Sequence, residues 1–546
     1  METDKRRIRR LAREKFGYEE LHPGQEAAIQ AVLSGHDTLA VLPTGAGKSA
    51  IYQIAASLLP GPTVVISPLI ALQRDQVEAI EGTDIGEAAV VNSTMAEGER
   101  REALQELKEG ELEFLFLAPE QLGNEKIFNR LKAVKPSLFV VDEAHCISEW
   151  GHDFRPDYLR LGPAIEALSH PTILALTATA APPVRAEIVE RLGMRNPEII
   201  VQGFDRPGIW LGVETFHDEA GKRRALLERV QEAEKPGIVY AGTRKHAEEI
   251  AEALRERGIK AAYYHAGMKA SERERVQEQF MNDELAVIVA TTAFGMGIDK
   301  PNVRFVFHYD ISESVDAYYQ EIGRAGRDGE AARAILFYNP KDVGLARFLA
   351  SSGHLKEKEV EEVAEAIEES NGPVEIEQLS EETHLPEARV ERVVNHLEEA
   401  GVVEPLPGGE VEVVPGEEAL RPEEIAEEAV EAQERHRQFE RSRVEMMRGY
   451  AELQTSCRRA YLLNYFGEPY QGPCGFCDIC QAGLDVEERA ENEPFPVNSK
   501  VVHKTWGEGT VMRYEGDKMV ILFDSVGYKT LAVDIVIANQ LLKHAG

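Results

Sequence analysis

The sequence predicts an α/β protein built on two doubly wound parallel-sheet lobes, and three observations predict it. Residues 37–41 read as a short strand running into Leu42-Pro43-Thr44-Gly45-Ala46-Gly47-Lys48-Ser49 and then a helix, the unit of strand, phosphate loop and helix. Residues 138–141 form a second apolar run that ends on two adjacent carboxylates, Asp142 and Glu143. A buried parallel strand has this form when it delivers acids to the carboxyl edge of a sheet. The alternation of short strands and helical patterns then begins afresh after residue 206.

Composition bounds the class. The chain has 546 residues, enough for several domains, and 43% of them are hydrophobic, as in proteins that bury ordinary cores. No apolar run reaches about 18 residues, so no membrane span is expected. The opening METDKRRIRR is charged with no apolar stretch behind it, unlike a secretory signal. A cytoplasmic protein is expected. The five cysteines agree, because four of them crowd late in the chain at metal-type spacing. The formal net charge of −34 argues against indiscriminate nucleic-acid binding, yet the acidity is local. Residues 356–435 hold 26 Glu against six Lys or Arg, a balance of −20, which leaves −14 for the other 466 residues. An acidic surface of this kind also suits a salty cytoplasm.

In the first lobe, Gly45 and Gly47 let backbone N–H groups approach phosphate, Lys48 reaches the terminal phosphates of ATP, and Ser49 is placed to hold Mg²⁺. Asp142 and Glu143 can divide labour, one holding a hard cation and the other polarising a water. Ahead of them, Tyr18 can stack on adenine and the amide of Gln25 can read its edge. Further strands end in polar residues near 63–67, 114–118 and 173–176, the last before Thr177-Ala178-Thr179. Ser67-Pro68-Leu69 is a strand-end loop able to grip a nucleic-acid backbone. Residues 146–158, CISEWGHDFRPDY, place Trp150, His152, Phe154 and Arg155 among Gly151 and Pro156. A loop bearing aromatics and a cation suits stacking on unpaired bases. Cys146 reads as a small buried residue.

The phosphate loop, DEAH (142–145), the aromatic loop and TAT (177–179) together closely resemble a RecQ-type DNA helicase. The aromatic loop is the specific part, since GKS and DEAH recur in many helicases. The resemblance implies RecA-like lobes and adds Thr44 to the phosphate cradle and His145 to the catalytic set. Gly203-Phe204-Asp205-Arg206-Pro207 looks like the linker between lobes. The second lobe has a strand at 237–240, another ending at Tyr264, and a third at 285–290 that leads into TTAFGMGIDK (291–300). By resemblance Gly297 and Asp299 face the nucleotide and Gln320 belongs to the catalytic set. Within IGRAGR (322–327), Arg324 and Arg327 have the chemistry of arginine fingers, with Arg327 the finger and Arg324 its helper. ATP held between the lobes closes the cleft and hydrolysis releases it. RecQ-like enzymes turn that cycle into 3′-to-5′ movement on single-stranded DNA. Here His22 stands where RecQ proteins carry an adenine-stacking Arg.

Residues 357–370, 376–384 and 386–400 read as helices, and 402–406 with 410–414 flank Pro407-Gly408-Gly409 as a hairpin, a winged-helix pattern. Glu387, Glu391, Glu398 and Glu399 on the third helix would repel phosphate, so an architectural or protein-binding role is favoured. RecQ proteins carry a winged helix after the zinc module; this one precedes it. Residues 435–459 reverse the sign, with seven Arg against three Glu, and these arginines are candidate phosphate contacts. Cys457, Cys474, Cys477 and Cys480 have the spacing of a structural Zn²⁺ site, four thiolates leaving no open position. After a polar linker at 483–496, short strands at 500–503, 509–512 and 519–523 suggest a small SH3- or Tudor-like β-barrel. It resembles the tail of UvrD-type helicases and so implies a protein partner such as RNA polymerase.

The expected layout is a first lobe over 1–206, a second lobe over 207–350, the acidic winged-helix-like segment over 355–416, the zinc module over 420–482 and the barrel over 495–546. A monomer is expected, acting on single-stranded and forked or tailed duplex DNA in repair and recombination. Two other readings are an RNA helicase or double-strand translocase on the same motor, and a dead motor serving as a zinc-anchored adaptor. The intact set Lys48, Asp142, Glu143 and Arg327 disfavours the adaptor.

Overall fold

A computed structural model describes residues 4–68, 70–83, 85–92, 95–148, 154–295, 298–350, 357–370, 372–399, 402–406, 410–414, 422–468, 470, 472–484, 494–497, 499–515 and 517–545. The chain divides into two compact units, residues 1–203 with 353–436, and residues 204–352 with 437–546. Among the described residues no helix is long and apolar enough to cross a membrane.

The first unit is organised by seven strands: β1 (Thr38–Val41), β2 (Thr63–Ile66), β3 (Ala88–Val91), β4 (Phe114–Leu117), β5 (Leu138–Val141), β6 (Thr172–Thr177) and β7 (Glu198–Val201). Their order is β3-β4-β2-β5-β6-β1-β7, with every neighbouring pair parallel. The central strands are buried along their whole length, as continuous Val, Ile, Leu and Phe runs require when helices cover both faces of a sheet. On one face Ile8, Ile29, Val32, Ile51 and Ile54 pack with Ala40, Val65, Val140 and Leu174. Strands β1 and β5 flank β6, so the segments that follow all three open along one carboxyl edge.

The acidic segment belongs to this unit. It has helices Glu357–Glu369, Ile376–Thr383 and Glu387–Glu399, and strands β14 (Val374–Glu375), β15 (Val403–Pro405) and β16 (Glu410–Val413), numbered in chain order after those of the second unit below. The strands form an antiparallel sheet of order β14-β16-β15. The hairpin expected from sequence is present, and β14 adds a strand beside it. Its tip, 407–409, lies outside the described residues. Val360, Val363, Leu379, Val390, Val393, Leu397 and Val411 make its separate core.

The second unit holds β8 (Ile209–Thr215), β9 (Gly237–Tyr240), β10 (Ala261–Tyr264), β11 (Val287–Ala290), β12 (Phe305–His308) and β13 (Ala332–Tyr338), all parallel, in the order β10-β11-β9-β12-β13-β8. Edge strand β8 would leave a row of backbone groups open to other chains. The cysteine segment covers it. Val213 N donates to Asp478 Oδ2 at 2.9 Å, and Trp210 Nε1 donates to Gln481 Oε1 at 3.0 Å.

Strands β17 (Lys500–His503), β18 (Gly507–Glu515), β19 (Lys518–Phe523), β20 (Gly527–Ala532) and β21 (Leu542–His544) form an antiparallel sheet of order β20-β19-β18-β17-β21. The sheet is docked rather than tethered. Tyr528 N donates to Ser442 Oγ at 3.0 Å, Tyr528 is buried, and the Arg513 guanidinium lies 4.3 Å from the Tyr461 ring centroid. Gly527 sits at φ +68°, and a Cβ there would lie 2.4 Å from Ser442 Oγ. Gly527→Ala is therefore expected to destabilise this docking by about 1–3 kcal/mol through left-handed strain alone. Limited proteolysis should show earlier cleavage in residues 483–496, and unchanged resistance would contradict the docking.

Candidate active site and metal centre

The phosphate loop follows β1 directly. Gly45 and Gly47 have φ of +83° and +65°, and Gly47 caps helix Lys48–Ala56. These left-handed residues turn backbone N–H groups toward an anion at the helix N-terminus, where the dipole adds positive potential. Gln25, expected to read adenine, is buried. Its Nε2 donates to Ala46 O at 2.9 Å and Gly47 O at 3.0 Å, while its Oε1 accepts from His22 N. In this structure the Nε2 end of that amide braces the loop, and the Oε1 end caps helix Pro23–Leu33. Tyr18 is exposed and stacks on Phe16, and its hydroxyl comes within 4.0 Å of the position a Cβ of Gly47 would take. Thr44 and Ser49 lie half-buried in the loop, and Lys48 Nζ is 3.4 Å from Leu42 O.

Two strands away, β5 delivers Asp142 and Glu143. Asp142 N continues the ladder to Ile66 O at 2.9 Å, and Tyr158 Oη donates to Asp142 O at 2.9 Å. Tyr158 was not among the residues anticipated from sequence; the only signal was its place at the end of the aromatic motif. Glu143 sits in the left-handed region at φ +48°, a strained conformation for a non-glycine residue and typical of a site held by its surroundings. Burial, then the neighbouring Glu143 charge, pushes the Asp142 carboxyl up to about 7, with Lys48 opposing. Glu143 Oε2 is buried without a hydrogen-bond partner. It is 3.3 Å from His145 Nδ1, but that nitrogen is engaged at 2.8 Å with Thr177 Oγ1. Two crowded, under-neutralised carboxylates beside Lys48 and a helix N-terminus fit a divalent cation, so this donor set suits Mg²⁺.

The link from DEAH to TAT is therefore direct. Buried His145 bonds Thr177, and Thr177 Oγ1 donates to Thr179 O at 3.0 Å. The aromatic loop is anchored on the same edge. Arg155 N donates to Cys146 O at 2.8 Å, and Arg155 Nη1 donates to Pro68 O at 3.0 Å. Ser67 is buried, Pro68 and Phe154 are half-buried, and Cys146 is fully buried. Trp150 and His152 lie outside the described residues.

In the second unit, helix Val315–Ile322 carries Gln320 and leads into the two arginines. Arg324 Nη1 donates to Gly295 O. Arg327 Nη1 donates to Ile298 O at 2.9 Å and to Asp299 Oδ1 at 2.6 Å. Burial, then the Arg324 charge, lowers the pKa of Arg327, and the Nε atoms of both arginines are buried without partners. A buried cation pair short of acceptors suits an anionic ligand. Arg206, read from sequence only as linker, donates to Gly323 O at 3.1 Å and Ala325 O at 2.9 Å and so fixes their turn. Asp299 is exposed; Gly297 is outside the described residues.

Cys457, Cys474, Cys477 and Cys480 bring their sulfur atoms within 4.8 Å of one another, with 3.9 Å between Cys474 and Cys480. A tetrahedral zinc with bonds near 2.3 Å needs sulfur separations of about 3.8 Å, so the cluster fits the ion. The candidate phosphate contacts nearby need correction. Arg443, Arg458 and Arg459 are almost fully buried. Arg458 Nε pairs with Asp478 Oδ1 at 2.6 Å, Arg459 Nη1 with Asp205 Oδ1 at 2.6 Å, and Arg443 Nη2 donates to Ser314 Oγ at 2.9 Å. These three cations hold the module together and are not available to DNA.

The chain matches the DEAD/DEAH box helicase family over residues 22–187, the helicase conserved C-terminal domain over 221–329 and the RecQ zinc-binding family over 419–481. Fold and site thus define two lobes of the helicase families with a RecQ-type zinc module. It is 34% identical over 504 residues to the probable ATP-dependent DNA helicase RecS of Bacillus subtilis, covering 91% of this chain and 97% of that one. The chain belongs to the RecQ family. It is also 38% identical over 466 residues to the ATP-dependent DNA helicase RecQ of Pasteurella multocida, covering 85% of this chain but only 61% of the longer relative. Among solved structures, the DUF1998 helicase MrfA bound to DNA shares the fold at a TM-score of 0.53 and 17% identity, over 77% of this chain and 63% of that one.

Proposed function

We propose that the chain is an ATP-dependent DNA helicase of RecQ type, moving 3′ to 5′ along single-stranded DNA and separating tailed or forked duplexes in repair and recombination. The observation that carries this is the anchoring of the aromatic loop. Arg155 ties it to Cys146, three residues beyond the catalytic carboxylate, and to the Ser67-Pro68 turn at a neighbouring strand end. The described ends of that loop, 146–148 and 154–158, are thus joined to the sheet edge that carries the nucleotide centre.

In the proposed mechanism Lys48 and the loop N–H groups hold the terminal phosphates, and Ser49 with Asp142 would hold Mg²⁺, which when bound neutralises phosphate charge. Glu143 orients and deprotonates the attacking water. His145 and Gln320 transmit the state of the site. Arg327, helped by Arg324, stabilises the γ-phosphate. Tyr18, Gln25, Thr44, Gly45, Gly47, Gly297 and Asp299 complete the nucleotide pocket. Ser67, Pro68, Trp150, His152, Phe154 and Arg155 meet the single strand. The spans 1–206, 207–350, 355–416, 420–482 and 495–546 act as two motor lobes, an acidic winged-helix-like module, a zinc module and an SH3/Tudor-like barrel. The acidic module serves architecture or protein binding, and the barrel takes a protein partner such as RNA polymerase. The working protein is a cytoplasmic monomer.

Strand displacement with a 3′-tailed duplex tests this reading. DNA should be unwound with ATP and a 3′ tail, and a 5′ tail should fail. Preference for RNA would favour the RNA-helicase reading, and ATPase without displacement the double-strand translocase.

A further inference from the structure

The acidic segment meets the first lobe at both flanks of the aromatic loop. On the near flank, Ser148 Oγ donates to Glu187 Oε2, and both residues are buried. Glu187 Oε1 lies 3.5 Å from Arg191 Nε, and Arg191 Nη1 donates to Glu398 Oε1 at 2.8 Å. Glu398 is on the third helix of the acidic segment, 207 positions from Arg191 along the chain. Arg191 ends helix Pro182–Arg191, and its carbonyl is pressed against Gly162, where a Cβ would sit 2.2 Å from Arg191 O. The arginine therefore starts from a backbone that cannot shift without opening that contact. On the far flank, the same acidic helix packs against the turn Pro156–Tyr158. Glu391 is half-buried there and feels Asp157 and Arg160, which are themselves paired at 3.7 Å.

We propose that the third acidic helix is a brace for the aromatic loop, and that Arg191 is the positioning residue that joins them through Glu187 and Glu398. This rests on the reading that the loop couples single-stranded DNA to ATP hydrolysis. It gives the acidic charge of that helix a use that does not require DNA contact. An ion pair with only about a fifth of each side chain exposed has to be matched in geometry to be stable. Its arrangement is thus passed along a chain of polar groups to Ser148, within the aromatic loop. Arg191 and Glu398 belong to neither the phosphate loop nor the acidic pair at 142–143, so turnover without DNA should be insensitive to them.

The test is ATPase activity of the full chain with and without a poly-dT oligonucleotide. Glu398→Gln keeps the shape and removes the charge; Arg191→Lys keeps the charge and removes the fork. Each should leave basal turnover within about twofold of the parent and lower the ratio of stimulated to basal turnover by roughly 2- to 30-fold, the range of energetic coupling changes known for such networks. The combined variant should lose no more than the worse single one, because both cut the same chain. An unchanged ratio in Glu398→Gln overturns the proposal, as does an equal fall in basal and stimulated rates, the mark of a merely structural role. A parent protein that DNA does not stimulate at all instead sinks the underlying helicase reading, and the brace with it.

Discussion

Lys48→Ala is expected to lower ATP turnover by at least about 10²–10³-fold, the loss typical when one preorganised charge-stabilising donor is removed. The lysine is fixed at the first turn of helix Lys48–Ala56, close enough to Asp142 to oppose its raised pKa. Among the described residues its side chain makes one long hydrogen bond, to Leu42 O at 3.4 Å, so removing it leaves no well-made bond there unsatisfied. Folding should survive, and single-stranded DNA affinity measured by fluorescence anisotropy should stay close to the parent. Undiminished turnover would remove Lys48 from the chemistry and with it the nucleotide site as described.

Cys477→Ser should empty the metal centre and unfold its surroundings. Structural zinc contributes on the order of 10–16 kcal/mol to folding in small zinc modules, as much as the whole stability of an average domain. Cys477 is fully buried, caps helix Asp478–Gln481 by accepting from Cys480 N, and bridges to Leu211 on β8. Loss of the ion should therefore expose the β8 edge and loosen Asp478, which pairs with Arg458 and caps Val213 N. Metal analysis should find less than one zinc per chain and thermal unfolding should begin earlier. Full zinc occupancy in the variant would refute the four-thiolate centre.

Much of this was legible in the sequence because its signals are local. A phosphate loop, a strand ending in two acids and paired CxxC steps each declare themselves within about ten residues. The positions of Lys48, Asp142, Arg327 and the four cysteines follow from such patterns. What escaped was long-range. Seven arginines in residues 435–459 read as a basic face, yet Arg458, Arg459 and Arg443 find Asp478, Asp205 and Ser314, the last two more than a hundred residues away. A helix pattern cannot distinguish a solvated arginine from one that meets an acid in another element. The loop contacts of Gln25 were hidden for a similar reason, since an amide suited to a base edge equally suits the carbonyls of Ala46 and Gly47. In the terminal sheet, β20 and β21 lacked clean alternation, and the docking of Tyr528 on Ser442 has no trace in either segment alone.

The central claim is that one lobe joins a nucleotide centre to a sensor of unpaired DNA. Phosphate release by the purified chain, followed as a single-stranded oligonucleotide is titrated in, tests it most directly. The account predicts a saturable rise that Lys48→Ala abolishes. A rate that stays level across the titration would contradict it.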